Sequence, residues 1–565
     1  MYYQQPLIES SDIPSWAPKA VETLFRLLGY TLSSVLSNHP TCVLANIAMA
    51  SESFDPFVED DLTLERLGYK PELKRSFNLL SMVGFSFSIV SCWSALSGVL
   101  IIGAESGGPP VMVWSWIGVS ICSLAVAFSM AEMCSAYPVA GGQYSWVAIV
   151  APRGWARGLS YVCILAMGAV NNFITAGFIL AIAELSNADL VVTRWKITLV
   201  AFAVAISGLS FNTLVPQLLH KLSRFFLIWN ICAFIIVIVT ILACNNHKQS
   251  ASFVFSKFQN MTGFGSAYTA ILGLLQTAFG MCCYDAPSHM TEEIRDARKE
   301  APRAIVLSVS IGAITGFIFL VAASFCISTI DSVANSPTGS PIVQIFYDST
   351  GSVAGSTCLT VLLIVINIGC SNALTAEGGR AVYAFARDQG LPFSKLLSSV
   401  DKKRQIPTYA ILLTTAMQIA LNSIYFGTVT GFNTVVSIAT EGFYISYAMP
   451  ICAKLLSTAM GQAVKLDGLW NLGQWSVPVN LVGAIYLLFT SITFNFPTEN
   501  PVDSENMNYT SAAIGLMLLL AAMTWMTTGR RRYQKPLSIL TEGTEVGMSD
   551  SRPEQIKSGG LNKAD

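Results

Sequence analysis

The chain has 565 residues, 53% of them hydrophobic and 12% charged, with a formal net charge of -1. Soluble domains carry about 25% charged residues, so the composition excludes a soluble multidomain protein, and the absence of a basic stripe excludes a nucleic-acid role. A mean hydropathy of +0.54 places most of the chain in lipid.

Residues 1–76 form a polar cytoplasmic segment whose start, MYYQQPLIESSDIPSW, is too polar for a secretory signal peptide, so the first membrane helix does the targeting. An amphipathic pattern at 20–36 is its one recognisable element. Apolar runs of spanning length, roughly 20 residues each, then number twelve. The first six are 79–103, 111–135, 158–183, 193–211, 222–244 and 267–284. The second six are 304–328, 353–376, 408–426, 431–453, 478–495 and 509–528. The expected fold class is therefore all-α membrane, with a permease-type domain at 77–528 and a disordered cytoplasmic tail at 529–565.

Span 1 reads LLSMVGFSFSIVSCW, where Gly84 is followed by Phe85, Ser86, Phe87 and Ser88. Span 2 ends in SMAEMCSAYPVAGGQY and places Glu132 near the interface as a gate or a packing anchor. Span 3 carries Asn171 and Asn172, which are costly in hydrocarbon and must face the interior. Span 6, LLQTAFGMCCYDAP, repeats the glycine of span 1 at Gly280 and runs through Cys282 and Tyr284 to Asp285. A dense run of charge follows, Glu292 to Glu300, before Pro302 opens span 7. Span 8 holds Asn367 and Asn372 and approaches Glu377, a partner for Arg380 or Arg387. Glu441 lies about ten residues into span 10 and is the acid hardest to place at a surface.

Intramembrane acids are expensive and face cavities. Broken helices offer free backbone groups to a ligand at the bilayer midplane. Gly84 and Gly280, each in the first span of a five-helix set, predict two such breaks and inverted repeats over spans 1–5 and 6–10. Phe85, Phe87, Trp93, Phe279 and Tyr284 supply aromatic faces that attract an ammonium group. Asp285, Glu441 and Glu132 are the candidates for proton coupling or gating, because desolvation opposes their charge.

With the N-terminus inside, predicted inner loops hold sixteen lysines and arginines between Arg153 and Lys465, against Arg194, Lys196, Lys248 and Lys257 outside. The sequons at Asn260 and Asn508 both fall in predicted outer loops and are the expected glycosylation sites. Both termini are therefore expected in the cytoplasm. The 13 cysteines lie mostly in apolar runs (Cys92, Cys122, Cys163, Cys370) and read as small buried hydrophobes. Four scattered histidines, His39, His220, His247 and His289, predict no metal cluster, and no cofactor is expected. Neither HExxH nor GxSxG occurs at depth, so no intramembrane enzyme is expected.

The segments GGQYSWVAIVAPRGWARGLSY (141–161), YDAPSHMTEEIRDARKEAPRAI (284–305) and GGRAVYAFARDQGLPFSKLL (378–397) resemble the amino acid–polyamine–organocation permease superfamily. ERLGYKPELKRSFNLLSMVGFSFSIV (65–90) and FNTVVSIATEGFYISYAMPI (432–451) are similar to its fungal branch of choline and gamma-aminobutyrate permeases. The resemblance covers about 65–530. It implies a leucine-transporter-type fold, a 5+5 inverted repeat plus two helices, with the site between helices 1, 3, 6, 8 and 10. It also implies secondary active, proton-coupled import at the plasma membrane.

Carried onto this chain, the helix breaks correspond to 84–88 and 279–284. Substrate contacts are then expected from Gly84, Phe85, Ser86, Phe87, Asn172, Phe279, Gly280, Cys282, Tyr284 and Asn367. Bulky Phe85 and Phe87 stand where such permeases often have glycines, which shifts weight from an α-amino acid toward an amine or ω-amino acid. The expected partners are a small nitrogenous solute, a proton and membrane lipid. The competing expectation is a nutrient sensor that signals through its N-terminal segment.

Overall fold

The computed structural model describes residues 56–152, 154–163, 170–187, 189–336, 338–426, 431–503 and 507–533. The amphipathic pattern at 20–36 and the tail beyond 533 lie outside the described residues. Residues 60–565 cluster as one unit.

Helix α1 (Pro56–Arg66) precedes an extended stretch that leads to α2 (Leu79–Val90). Asn78 starts α2 with a reciprocal cap, its side chain accepting from the Ser81 amide at 3.0 Å while Ser81 Oγ accepts from the Asn78 amide at 2.9 Å. The helix then stops at Ser91 and resumes as α3 (Cys92–Gly98) and α4 (Leu100–Glu105). A two-residue strand, β1 (Ser106–Gly107), pairs antiparallel with β2 (Gln259–Asn260).

The longer helices follow as α5 (Pro109–Ala136), α6 (Val170–Ser186), α7 (Arg194–Leu214), α8 (Leu219–Cys244) and α9 (Ser266–Gly280). After the short α10 (Ala286–His289) come α11 (Ala297–Cys326), α12 (Val353–Arg387), α13 (Thr408–Asn422) and α14 (Gly431–Ala459). The last two are α15 (Ser476–Thr493) and α16 (Thr510–Thr524). Among the described residues, nine helices are long and apolar enough to cross a membrane, counting Leu79–Gly98 as one. Helix also covers Ser266–Gly280 and Gly431–Ala459, and in the predicted span 158–183 the described stretches Ala156–Val162 and Val170–Ser186 are helical.

Two predicted boundaries shift for identifiable reasons. Span 7 starts seven residues early, at Ala297 rather than 304, and carries Pro302 inside the helix. Proline has no amide to give the carbonyl four residues back, and Ser135 Oγ donates to that Arg298 carbonyl instead, at 2.7 Å. Span 8 extends to Arg387 because its final turns are buried against protein, with Glu377, Arg380 and Tyr383 at 2% exposure or less.

Helix α12 sits at the centre, packed on α2, α6, α7, α8 and α13. Helices α5 and α11 run in close contact because Gly316 leaves room for Trp116, where an added Cβ would lie 2.2 Å from the indole. Trp116 Nε1 then reaches the Ala313 carbonyl at 2.9 Å. Large apolar side chains such as Leu199, Ile228, Ile235 and Leu519 remain exposed on the outer helices, the surface a lipid environment covers.

Candidate binding site at the helix breaks

The first break lies at Ser91, not at 84–88. Gly84 sits inside regular helix, and its missing Cβ accommodates the Ser223 carbonyl of α8, 2.7 Å from where that carbon would be. It is a close-packing glycine. Ser91 takes a left-handed φ of 27°, a conformation that costs a non-glycine residue about 1–2 kcal/mol. Asn230 of α8 holds it there. Its Nδ2 donates to Ser91 Oγ at 2.5 Å, and its Oδ1 accepts from Trp93 Nε1 at 2.7 Å. The Ser91 carbonyl accepts from the Ser94 and Ala95 amides and so restarts the helix.

The second break falls where the sequence placed it. Helix α9 ends at Gly280, the chain unwinds, and Cys283 adopts a φ of 62° before α10 begins. Cys282 Sγ donates to the Phe279 carbonyl and lies 3.4 Å from Cys283 Sγ.

A cavity of about 40 Å³ opens between the two breaks, lined in part by Val90, Asn171, Phe279, Cys282, Cys283 and Phe443. That is room for on the order of three waters. No charged side chain lines it. Of the ten residues expected to contact substrate, Phe279 and Cys282 line this space. Phe85 instead packs edge-on against Phe77, Ser86 and Phe87 are buried in α2, and Gly280 faces Leu96 at 2.7 Å from its virtual Cβ. Asn172 accepts from Ser371 Oγ at 2.6 Å, and Asn367 donates to the Leu363 carbonyl. Tyr284 stacks beside Tyr447 at 5.0 Å. Sequence reasoning missed Asn171 as a lining residue. Its amide bonds the Asn367 carbonyl at 2.8 Å, and it neighbours the expected Asn172 in sequence. Cys283 and Phe443 were missed as well, and only three-dimensional proximity reveals them.

Beyond the cavity lies a buried polar cluster. Asp285 accepts from Tyr447 Oη at 2.5 Å and from Gln143 Nε2 at 2.6 Å. His289 Nε2 lies 3.4 Å from Asp285 Oδ2, while its Nδ1 faces the Ala140 carbonyl at 3.0 Å. Glu377 is fully buried, and neither carboxylate oxygen has a hydrogen-bond partner. The expected pairing of Glu377 with Arg380 or Arg387 does not form, because Arg380 engages Glu293 and Arg387 engages Glu292. One ligand atom each from Asp285, His289 and Glu377 lies within 4.8 Å of the others. The sequence shows four scattered histidines, and the fold brings one of them, His289, beside acids from two separate segments.

The other two predicted acids differ in their surroundings. Glu132 is saturated by Lys454 Nζ at 2.5 Å, Ser476 Oγ at 2.9 Å and the Leu472 amide at 3.2 Å, an arrangement that anchors α5 to α14 and α15. Glu441 is 3% exposed and accepts from Asn495 Nδ2 at 2.8 Å through one oxygen, while its other oxygen has no partner.

The dense charged segment divides: Glu292 and Glu293 are buried, while Arg295 and Lys299 are exposed. Arg75 from the stretch before α2 donates to the Ile294 carbonyl and pairs with Asp61, both at 2.9 Å. Asp60 accepts from the Asp296 and Ala297 amides at the start of α11. Asp388, just after α12, accepts from Tyr144 Oη at 3.0 Å and Tyr69 Oη at 3.2 Å. Burial pushes its carboxyl up to about 6 despite the neighbouring Arg387.

At the other end a cavity of about 210 Å³ lies among Glu105, Thr262, Leu275 and Glu499. Burial first, then Glu499, pushes the Glu105 carboxyl up to about 7. The two sequons part here. Asn260 is exposed, whereas Asn508 is 5% exposed with its amide donated to the Phe494 and Phe496 carbonyls. The Asn508 amide is thus occupied within the protein, while that of Asn260 lies at the surface.

The family profile described as amino acid permease matches residues 77–520. A Macrophomina phaseolina protein named among amino acid/polyamine transporters is 62% identical over 76% of this chain and 97% of its own length. The choline transporter of Saccharomyces cerevisiae is 30% identical, covering 82% of this chain and 83% of its own. The amino-acid permease BAT1 of Arabidopsis thaliana is 29% identical over 86% and 98%.

Proposed function

Because the chain belongs to the amino acid permease family, we propose that this multi-pass membrane transporter of amino acids or amines imports its solute by proton-coupled alternating access. The supporting observation is the pair of interrupted helices, at Ser91 and Cys283, that meet at a small uncharged cavity beside Phe279 and Phe443. Two non-glycine residues in left-handed backbone mark positions where strain is stored at functional sites. Two phenylalanines at such a cavity suit a substrate ammonium group through ring electrostatics. The absence of a lining charge favours choline, gamma-aminobutyrate or a related amine over a dibasic cargo. At about 40 Å³ the cavity is smaller than such a solute, so this conformation is a closed one that opens to load.

The finer reading adopts twelve spans arranged as a 5+5 repeat plus two, at the plasma membrane, with cytoplasmic termini. The charged seal around Glu292, Glu293, Arg380 and Arg387 then forms the inner gate. Glu441 is the proposed proton-responsive group, because one of its buried oxygens lacks a partner.

Reconstituted vesicles test this reading. Labelled choline, gamma-aminobutyrate and amino acids are offered with and without an inward proton gradient. Accumulation of one class, stimulated by the gradient and lost in Phe279→Ala, is the expected result. Glu441→Gln should remove the gradient dependence. Binding without accumulation would replace the transporter by a sensor, and unchanged pH dependence in Glu441→Gln would remove that residue from the coupling step.

A further inference from the structure

We propose that Asp285, His289 and Glu377 form a binding site for one divalent transition cation of the Zn²⁺ class. The Ala140 carbonyl can only accept, so His289 Nδ1 carries the proton in that contact and Nε2 is the nitrogen that faces Asp285. Orientation of one imidazole nitrogen by a backbone carbonyl is the arrangement that metal-ligating histidines use. Glu377, fully buried, brings two oxygens without any donor into the same space. Three ligand atoms thus converge, and the Glu377 oxygens among them are without a hydrogen-bond partner.

Two acid side chains and an imidazole share a low-dielectric interior, where polar groups are costly unless paired. Among the described residues no lysine or arginine bonds Asp285 or Glu377, and the nearby guanidiniums of Arg380 and Arg387 are held by Glu293 and Glu292. A divalent cation engages all three ligand atoms together.

His289 Nε2 and Asp285 Oδ2 are 3.4 Å apart. Ligands about 2.0–2.1 Å from a tetrahedral ion stand roughly 3.4 Å from each other. All three donor atoms fall within 4.8 Å, and mixed imidazole and carboxylate donors suit Zn²⁺ better than Mg²⁺ or Ca²⁺. Gln143 and Tyr447 already donate to Asp285 and fix its orientation as outer partners do. A cation held here would tie the unwound segment after α9 to the long helix α12.

The test uses untagged full-length protein in detergent, stripped of metal and titrated with Zn²⁺ or Co²⁺ alone. The expected result is about one Zn²⁺ per chain, with visible Co²⁺ absorption of low-symmetry coordination. Glu377→Gln, nearly isosteric, and His289→Gln should each weaken binding tenfold or more, while Glu441→Gln leaves it unchanged. Monodisperse elution confirms that each variant is folded, and the Co²⁺ spectrum of the unaltered chain needs no variant at all. Failure of that chain to bind either ion stoichiometrically, or unchanged affinity in Glu377→Gln, overturns the proposal and leaves the cluster held by protons.

Discussion

Arg380 and Glu293 stand 87 residues apart in sequence, yet Arg380 Nε meets Glu293 Oε1 at 2.7 Å with both side chains under 10% exposed. Arg387, two turns along α12, repeats the contact with Glu292, Nη2 to Oε1 at 2.8 Å and Nη1 to Oε2 at 3.0 Å. Removing one partner of a buried pair strands the other charge, at a cost of about 3–5 kcal/mol. Glu293→Ala and Arg380→Ala should each lower the melting temperature sharply. The double replacement Glu293→Met with Arg380→Met should cost less than either. A thermal-melt double-mutant cycle measures this, and equal small effects across all variants would mean the pair is not buried as described.

Gly84→Ala places a Cβ 2.7 Å from the Ser223 carbonyl, a backbone atom that cannot rotate away. Overpacking of this kind costs about 1–3 kcal/mol. Gly118→Ala in α5 meets nothing within 4 Å and should be neutral or mildly stabilising through helix propensity. Melting of the two variants side by side checks the contrast. Equal behaviour would restore Gly84 as a flexible break.

The pair of glycines shows how far the sequence reaches. Hydropathy located nine helices that, among the described residues, are long and apolar enough to cross a membrane, because lipid leaves the backbone no choice but helix. Gly280 and the thiols after it located the second break, since an acid and a glycine at one helix end conflict with simple packing. Gly84 misled for a physical reason: in membrane helices a glycine more often admits a neighbour than ends a turn. The real break at Ser91 has no local signal, and what stabilises it is Asn230, far along the chain in an otherwise apolar run. Likewise Glu377 lies near two arginines in sequence, but those arginines are claimed by glutamates from another segment.

Asn230→Ala removes the acceptor of Trp93 Nε1 and the donor to Ser91 Oγ in one step. Each buried group left unpaired costs about 1–3 kcal/mol. The variant should melt several degrees lower and lose most uptake, while Asn212→Ala, whose partner Asn372 lies on α12, lowers stability with less effect on uptake. Uptake per folded molecule distinguishes the two. Equal loss in both variants would detach Asn230 from the break.

Asp388 gives the pH prediction. Its carboxyl titrates near 6 in the folded protein, against 3.8 as its ordinary value, because it is buried beneath Tyr69 and Tyr144. Well below pH 4 it is protonated whether the chain is folded or not. Between about pH 4 and 6 the folded state keeps a proton that the unfolded chain releases, so stability falls as pH rises through this window. Two units correspond to about 3 kcal/mol at most. Asp388→Asn still accepts from both tyrosine hydroxyls but cannot titrate. Melting temperatures from pH 4 to 7 should therefore decline less steeply in Asp388→Asn than in the unaltered chain, with the curves closest near pH 4. Parallel curves, or a decline confined to pH above 7, would show that Asp388 is ionised at low pH and that the tyrosine pair fully offsets its burial.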